Sequence, residues 1–264
     1  MRSLYESLFD IDDNIDKIDK DIEKQIRKFL YNNFTNFSKC KISRKPNSNG
    51  KYEISSVGDI EVKNKSITSF TNGSFIWTNI KGNFDCANCY SLTSLEGAPK
   101  EVEGSFFCNH CRSLTSLRGA PEKVSRGFYC EFCDSLKSLE GAPKEVRGDF
   151  NCFNCNSLTS LEGAPKEVGK DFSCNNCPSL TSLKGSPKKV GRDFDCFNCN
   201  SLTSLEGAPK EVKGDFSCFN CKSLISLEGA PKEVGGDFYC RNCKGEFIEE
   251  DVKKVSNVKG IIFL

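Results

Sequence analysis

Histidine occurs once in the 264 residues, at His110, and methionine and tryptophan also occur once each. A single imidazole excludes a site built from several histidines, and no nucleophile motif or Gly-rich phosphate loop with a following Lys is present. An excess of one charge is missing too: 37 Lys plus Arg stand against 36 Asp plus Glu, a formal net charge of +1. General binders of nucleic acid or anionic membranes need a basic surplus, so neither is an expected partner. No apolar run reaches the roughly 20 residues of a transmembrane helix. The first thirty residues lack a basic stretch followed by an apolar one, so secretion by the usual signal is not expected. The cytoplasm is the expected compartment. There, disulfides are not expected for most of the seventeen cysteines, and the odd count leaves Cys40 unpaired in any case.

What the chain has in abundance is repetition. Phe-x-Cys-x-x-Cys-x-Ser-Leu-Thr-Ser-Leu-Glu-Gly-Ala-Pro-Lys-Glu-Val recurs every 22 residues, with first cysteines at Cys86, Cys108, Cys130, Cys152, Cys174, Cys196, Cys218 and Cys240. The second cysteines are Cys89, Cys111, Cys133, Cys155, Cys177, Cys199, Cys221 and Cys243. A fixed period of this length predicts a solenoid. Phe and the first Cys, two apart, share one face of a short strand. The second Cys turns the corner, two leucines three apart point inward, and Gly-Ala-Pro breaks the chain before Val returns it. One coil buries too little apolar surface to fold alone, so stability has to come from stacking.

Degraded units mark both ends. Ile60 takes the Phe place and Val62 the Cys place, followed by Ile67, Phe70 and Ile80; at the other end Val258, Gly260, Ile262 and Leu264 repeat the frame after a short helix expected around Glu246–Val255. The fold class expected is therefore a right-handed β-solenoid with a parallel sheet of about ten short strands over residues 54–264. Within it, 54–83 is a degenerate first coil, 84–243 holds eight units with the last partial, and 244–264 is a cap. Residues 1–45 read as an amphipathic helical segment, with Ile11, Ile15, Ile18, Ile22, Ile26, Phe29 and Leu30 spaced by three and four and Asp10 or Asp12 as cap. That stripe can cover the first coil or, through residues 11–30, pair two copies. Residues 46–53, with Pro46-Asn47-Ser48-Asn49-Gly50, read as a linker.

On Cys155-Asn156-Ser157-Leu158-Thr159-Ser160-Leu161 through Pro165, Val168 and Phe172, the chain resembles the leucine-rich repeat proteins, most closely the BspA-like class. It departs in its 22-residue period, in lacking a second isoleucine, and in an extra Cys where an aliphatic residue is usual. The resemblance implies a curved solenoid that binds other macromolecules, and no particular one. The opening Ser3-Leu4-Tyr5-Glu6-Ser7 resembles the starts of repeat proteins of gut bacteria and their viruses. That places the expected cytoplasm in a bacterium or a virus-infected host cell, with a surface or virion location left open.

The cysteine pairs carry three readings. Cys86-x2-Cys89-x18-Cys108-x2-Cys111 has four-cysteine zinc spacing, and the eight pairs would make four such sites. Strands about 4.8 Å apart could bring sulfurs to the roughly 3.8 Å of a tetrahedral site. Against this, Val62 and Leu264 stand in the first-cysteine column, which fits a small apolar filler better than a thiolate. Reduced thiol ladders, metal sites and inter-coil disulfides thus remain as alternatives, with no cofactor expected and zinc as the alternative. His110 falls in a column that holds Asn in six of eight units and reads as a turn residue.

The units differ mainly at outward positions flanking Phe and the first Cys. Phe107, Tyr129, Phe153, Asp195, Phe197, Phe219, Tyr239 and Arg241 are the expected partner-binding residues, whereas positions 91–102, 157–168 and 201–212 are identical. Clustered exposed aromatics mark interaction surfaces. Asp149, Asp171, Asp193, Asp215 and Asp237 stack like charges beside them, to be offset by backbone hydrogen bonds or by nearby basic side chains. Calcium and a basic peptide are the functional alternatives for that column. The expected function is a non-enzymatic module that binds a protein partner, and the alternative is a zinc-binding structural or metal-buffering protein.

Overall fold

Each Phe-x-Cys segment begins with a two-residue strand whose Phe points inward and whose next residue points out. In the computed structural model, which describes residues 18–264, these strands stack in register, with Phe106, Phe128, Phe150, Phe172, Phe194 and Phe216 paired to one another in order. Ile60 pairs with Phe84 and Ile262 with Phe238, so the degraded end units keep the frame. The result is a parallel-sheet β-solenoid of about ten coils of 22 residues.

The single sheet expected is two. Besides the Phe sheet, the Glu-Val pairs from Glu101–Val102 to Glu233–Val234 form a second sheet, also of eleven strands, on another side of each coil. Between the two sheets the leucines are held by a looser ladder, in which the Leu95 N–H donates to the Arg118 carbonyl at 2.8 Å and the Thr115 N–H to that of Thr93 at 3.0 Å. Phe, both Cys, both Leu and Val of each central coil are buried and meet along the axis. The core phenylalanines form a column of rings 5.1–5.5 Å apart from Phe84 to Phe238.

The N-terminal end is more integrated than its composition suggests. Helix α1 (Lys20–Asn33) begins at Asp19, whose carboxylate accepts the N–H groups of Asp21 and Ile22; the expected caps Asp10 and Asp12 lie outside the described residues. Ile26 and Leu30 are fully buried, and Phe29 meets Phe75 edge-on at 5.7 Å. The apolar stripe from 18 to 30 therefore packs on the first coil; Ile11 and Ile15 lie outside the described residues. Strand β1 (Phe34–Thr35) adds antiparallel to the Phe sheet beside Ile60–Val62. Strands β2 (Cys40–Ile42) and β3 (Tyr52–Ser56) form a hairpin at the edge of the other sheet. Residues 46–53 are thus the hairpin's turn and part of its second strand, not a linker. The Asn47 side chain accepts the N–H groups of Asn49 and Lys51 and so pins that turn. Both sheets end here in an antiparallel strand, which occupies the edge that a bare first coil would expose.

At the other end α2 (Glu249–Val255) lies between the strands Phe238–Tyr239 and Asn257–Val258 in the chain and buries its own Val252. Leu264, expected inward, is 46 % exposed. Among the described residues no helix is long and apolar enough to cross a membrane.

Candidate partner-binding face

The outward surface of the Phe sheet is built from four columns, because the chain there runs strand, corner, turn in every coil. Just before each Phe comes the Asp column. Asp193 accepts the Asp215 N–H at 2.8 Å, Asp215 that of Asp237 at 2.7 Å, and Asp237 that of Ile261 at 2.7 Å. Each carboxylate thus caps the next coil's backbone, as Asn83 does for Ser105. At Gly214, Gly236 and Gly260, which precede Asp215, Asp237 and Ile261, an added Cβ would collide with the Asp193, Asp215 or Asp237 carboxylate of the coil before. The stacked charges are offset mainly by backbone donors, with Arg192 3.6 Å from Asp171 as one ion pair. They need no calcium.

The next two columns hold the expected site residues. Phe107 stacks on Tyr129 at 4.9 Å and Phe197 on Phe219 at 4.8 Å, all half-buried because each ring covers its neighbour. Tyr239 stacks at 4.6 Å on Phe263, a partner that sequence reasoning missed. Between Phe153 and Phe197 stands Asn175, 8 % exposed and bonded to Ser173 at 2.6 Å. Phe107, Tyr129 and Tyr239 lie in one column and Phe153, Phe197 and Phe219 in the next, so the outward aromatics form a stripe two columns wide, with one ring in each coil from Phe107 to Tyr239 except that of Asn175. Arg241 is exposed at its C-terminal end. Asp195, half-buried beside the stripe, has its carboxyl pushed up to about 6, by burial first and then by Asp193, Asp171 and Asp215.

In the fourth column every residue from Asn88 to Asn242 has φ between 53° and 61°. Asn tolerates this left-handed turn, which explains its recurrence. His110 (φ 58°) and Phe132 (φ 56°) replace it; their rings stack at 4.4 Å, and Phe153 meets Phe132 edge-on at 5.7 Å. The signal for Phe132 was in the sequence, as an aromatic in an Asn column. Beside it Glu131 has a buried Oε2 that meets no hydrogen-bond donor, and burial pushes its carboxyl up to about 7.

A folded-state carboxyl above its unfolded value of 4.5 binds protons more readily when folded, so it detracts from stability as pH rises from about 4.5 to 7. Glu131→Gln is accordingly expected to raise the melting temperature at pH 8 and to leave it nearly unchanged at pH 4. Thermal melts across that range check the sign.

The cysteines face the other way. The second thiol of each pair donates to the carbonyl of the first Cys one coil back, from Cys111 to Cys86 at 3.2 Å through Cys243 to Cys218 at 3.3 Å. Burial holds the Cys130, Cys152, Cys174 and Cys196 thiols well above their usual range, which disfavours the thiolate that a metal or a nucleophile requires. All seventeen cysteines are free thiols, and among the described residues no three His, Cys, Asp or Glu side chains converge as a metal-ligand set. Comparison with protein-family models, with curated proteins and with solved structures finds no match to this chain.

Proposed function

We propose that this chain is a non-enzymatic binding module of leucine-rich-repeat type that takes a protein partner on the outward surface of its Phe sheet. The observation that carries the reading is the aromatic stripe. Rings that could have been buried, or replaced by the Asn and Ser of neighbouring coils, instead line one face in the columns where the repeats differ. The Ser-Leu-Thr-Ser-Leu-Glu-Gly-Ala-Pro-Lys-Glu-Val segment, by contrast, is identical at 91–102, 157–168 and 201–212. With coils about 4.8 Å apart, the stripe suits an extended segment laid along the solenoid axis. The cytoplasmic location and the absence of catalysis belong to the same proposal.

A random-peptide display library selected on the immobilised protein tests it. Selected peptides are expected to lose binding to Phe197→Ser/Phe219→Ser, which keeps the wild-type melting temperature within a few degrees. Lys166→Ala/Lys188→Ala, beside the other sheet, should leave binding intact. Peptides indifferent to the phenylalanines and sensitive to the lysines would refute the assignment of this face.

A further inference from the structure

We infer that the surface around Glu131 and Phe132 binds a positively charged side chain, lysine or arginine, of the partner segment; the inference rests on the partner-binding reading of this face. Two adjacent residues there break the rules that the other coils obey. Phe132 occupies a left-handed turn position that six coils give to Asn, and a bulky aromatic is costly in that conformation. Glu131 carries a carboxyl oxygen that is buried with no hydrogen-bond partner, although Asn109 and Asn175 in the same column are neutral. The Glu131 carboxyl accepts a hydrogen bond from its own backbone N–H, but its Oε2 is desolvated without a donor, which is costly, and burial drives the group toward its protonated form.

Departures of this kind, concentrated at one place, are what ligand sites show. Their chemistry points to a cation. The rings of His110, Phe132 and Phe153 form one connected aromatic cluster beside Glu131, half-exposed to solvent. Aromatic faces attract ammonium and guanidinium groups, and a carboxylate supplies the opposite charge. The wider field agrees. Over the eight repeats the four outward columns hold seven Asp residues, five in the Asp column and Asp85 and Asp195 in its neighbour, together with Glu131, and Arg241 is their sole Lys or Arg, although the chain as a whole is nearly neutral. An anionic ligand would be repelled here. A purely apolar one would leave Glu131 unpaired.

The test is binding of fluorescein-labelled octalysine to the full chain, followed by anisotropy at low and physiological salt. Glu131→Gln removes the charge at constant shape. Phe132→Asn restores the residue that the turn prefers, so it folds at least as well as wild type. Both are expected to weaken binding about tenfold or more, the scale of a desolvated cation–aromatic contact. Asp237→Asn removes a charge from the same face but keeps the backbone acceptor, as Asn83 does, and should change affinity less than about threefold. Absence of saturable binding by wild type, an unchanged affinity for Phe132→Asn, or an Asp237→Asn loss as large as that of Glu131→Gln would each overturn the inference. Peptides selected by display separate it from the reading beneath it: if they depend on Phe197 and Phe219 but not on Glu131, the cation site falls and the face stands. If they depend on neither, both fall.

Discussion

Phe172→Ala is expected to destabilise the protein by about 3–5 kcal/mol, the range of a buried phenylalanine truncated in a core that cannot collapse around it. Phe172 has no exposed surface, and its ring lies between Phe150 at 5.2 Å and Phe194 at 5.3 Å. Both neighbours are held by their own strands at the coil spacing, so neither can move in to fill the gap. In a solenoid each coil contacts only the coils on either side, so a mid-stack lesion weakens both of its interfaces. The outward ring one coil on provides the contrast. Phe197→Ala removes the same atoms from a half-buried site and is expected to cost much less. Denaturant melts of the two variants measure the difference, and a loss for Phe197→Ala as large as or larger than that for Phe172→Ala would contradict the assigned inward and outward phases.

Gly163→Ala is expected to cost more than about 4 kcal/mol, a magnitude that points to a specific steric or strain mechanism. Two effects coincide at this residue. Its φ is +95°, which an L side chain rarely adopts, and a Cβ would stand 2.5 Å from the Cα and N of Glu140 and from the carbonyl carbon of Leu139. Those atoms are backbone of the preceding coil, fixed by the ladder, and cannot rotate away. Gly73 separates the two effects. It has φ +90° but nothing within 4 Å of where its Cβ would be, so Gly73→Ala should cost only the conformational penalty of about 1–2 kcal/mol. The difference between the two variants isolates how closely successive coils approach at Gly-Ala-Pro.

The repeat itself was legible because a 22-residue period with Phe and Cys two apart leaves one arrangement in which every coil buries the same side chains. Even Ile60 and Ile262 could be aligned to Phe from that frame. The second sheet was not legible, since each of its strands is two residues long with one inward valine, too short for alternation to register. The hairpin of β2 and β3 was read as a linker because Asn-Ser-Asn-Gly is turn chemistry in either setting, and only the pairing of Ile42 with Ile54 distinguishes them. Within the candidate face the columns of Phe197 and Phe219 could be read directly. The site at Glu131 and Phe132 could not be, because the cost of Phe132 depends on a positive φ, and that of Glu131 on an oxygen left without a donor.

The account's central claim is that the sixteen paired cysteines are reduced core residues, which leaves the outward face as the place where the chain acts. Comparing the native and denatured intact mass of protein purified without chelator or reductant tests that most directly. The account predicts one mass in both states, equal to that of the chain with every thiol protonated. A native excess of zinc that disappears on denaturation, in the ratio of one ion to two cysteine pairs, would contradict it and make the solenoid a metal-built structure.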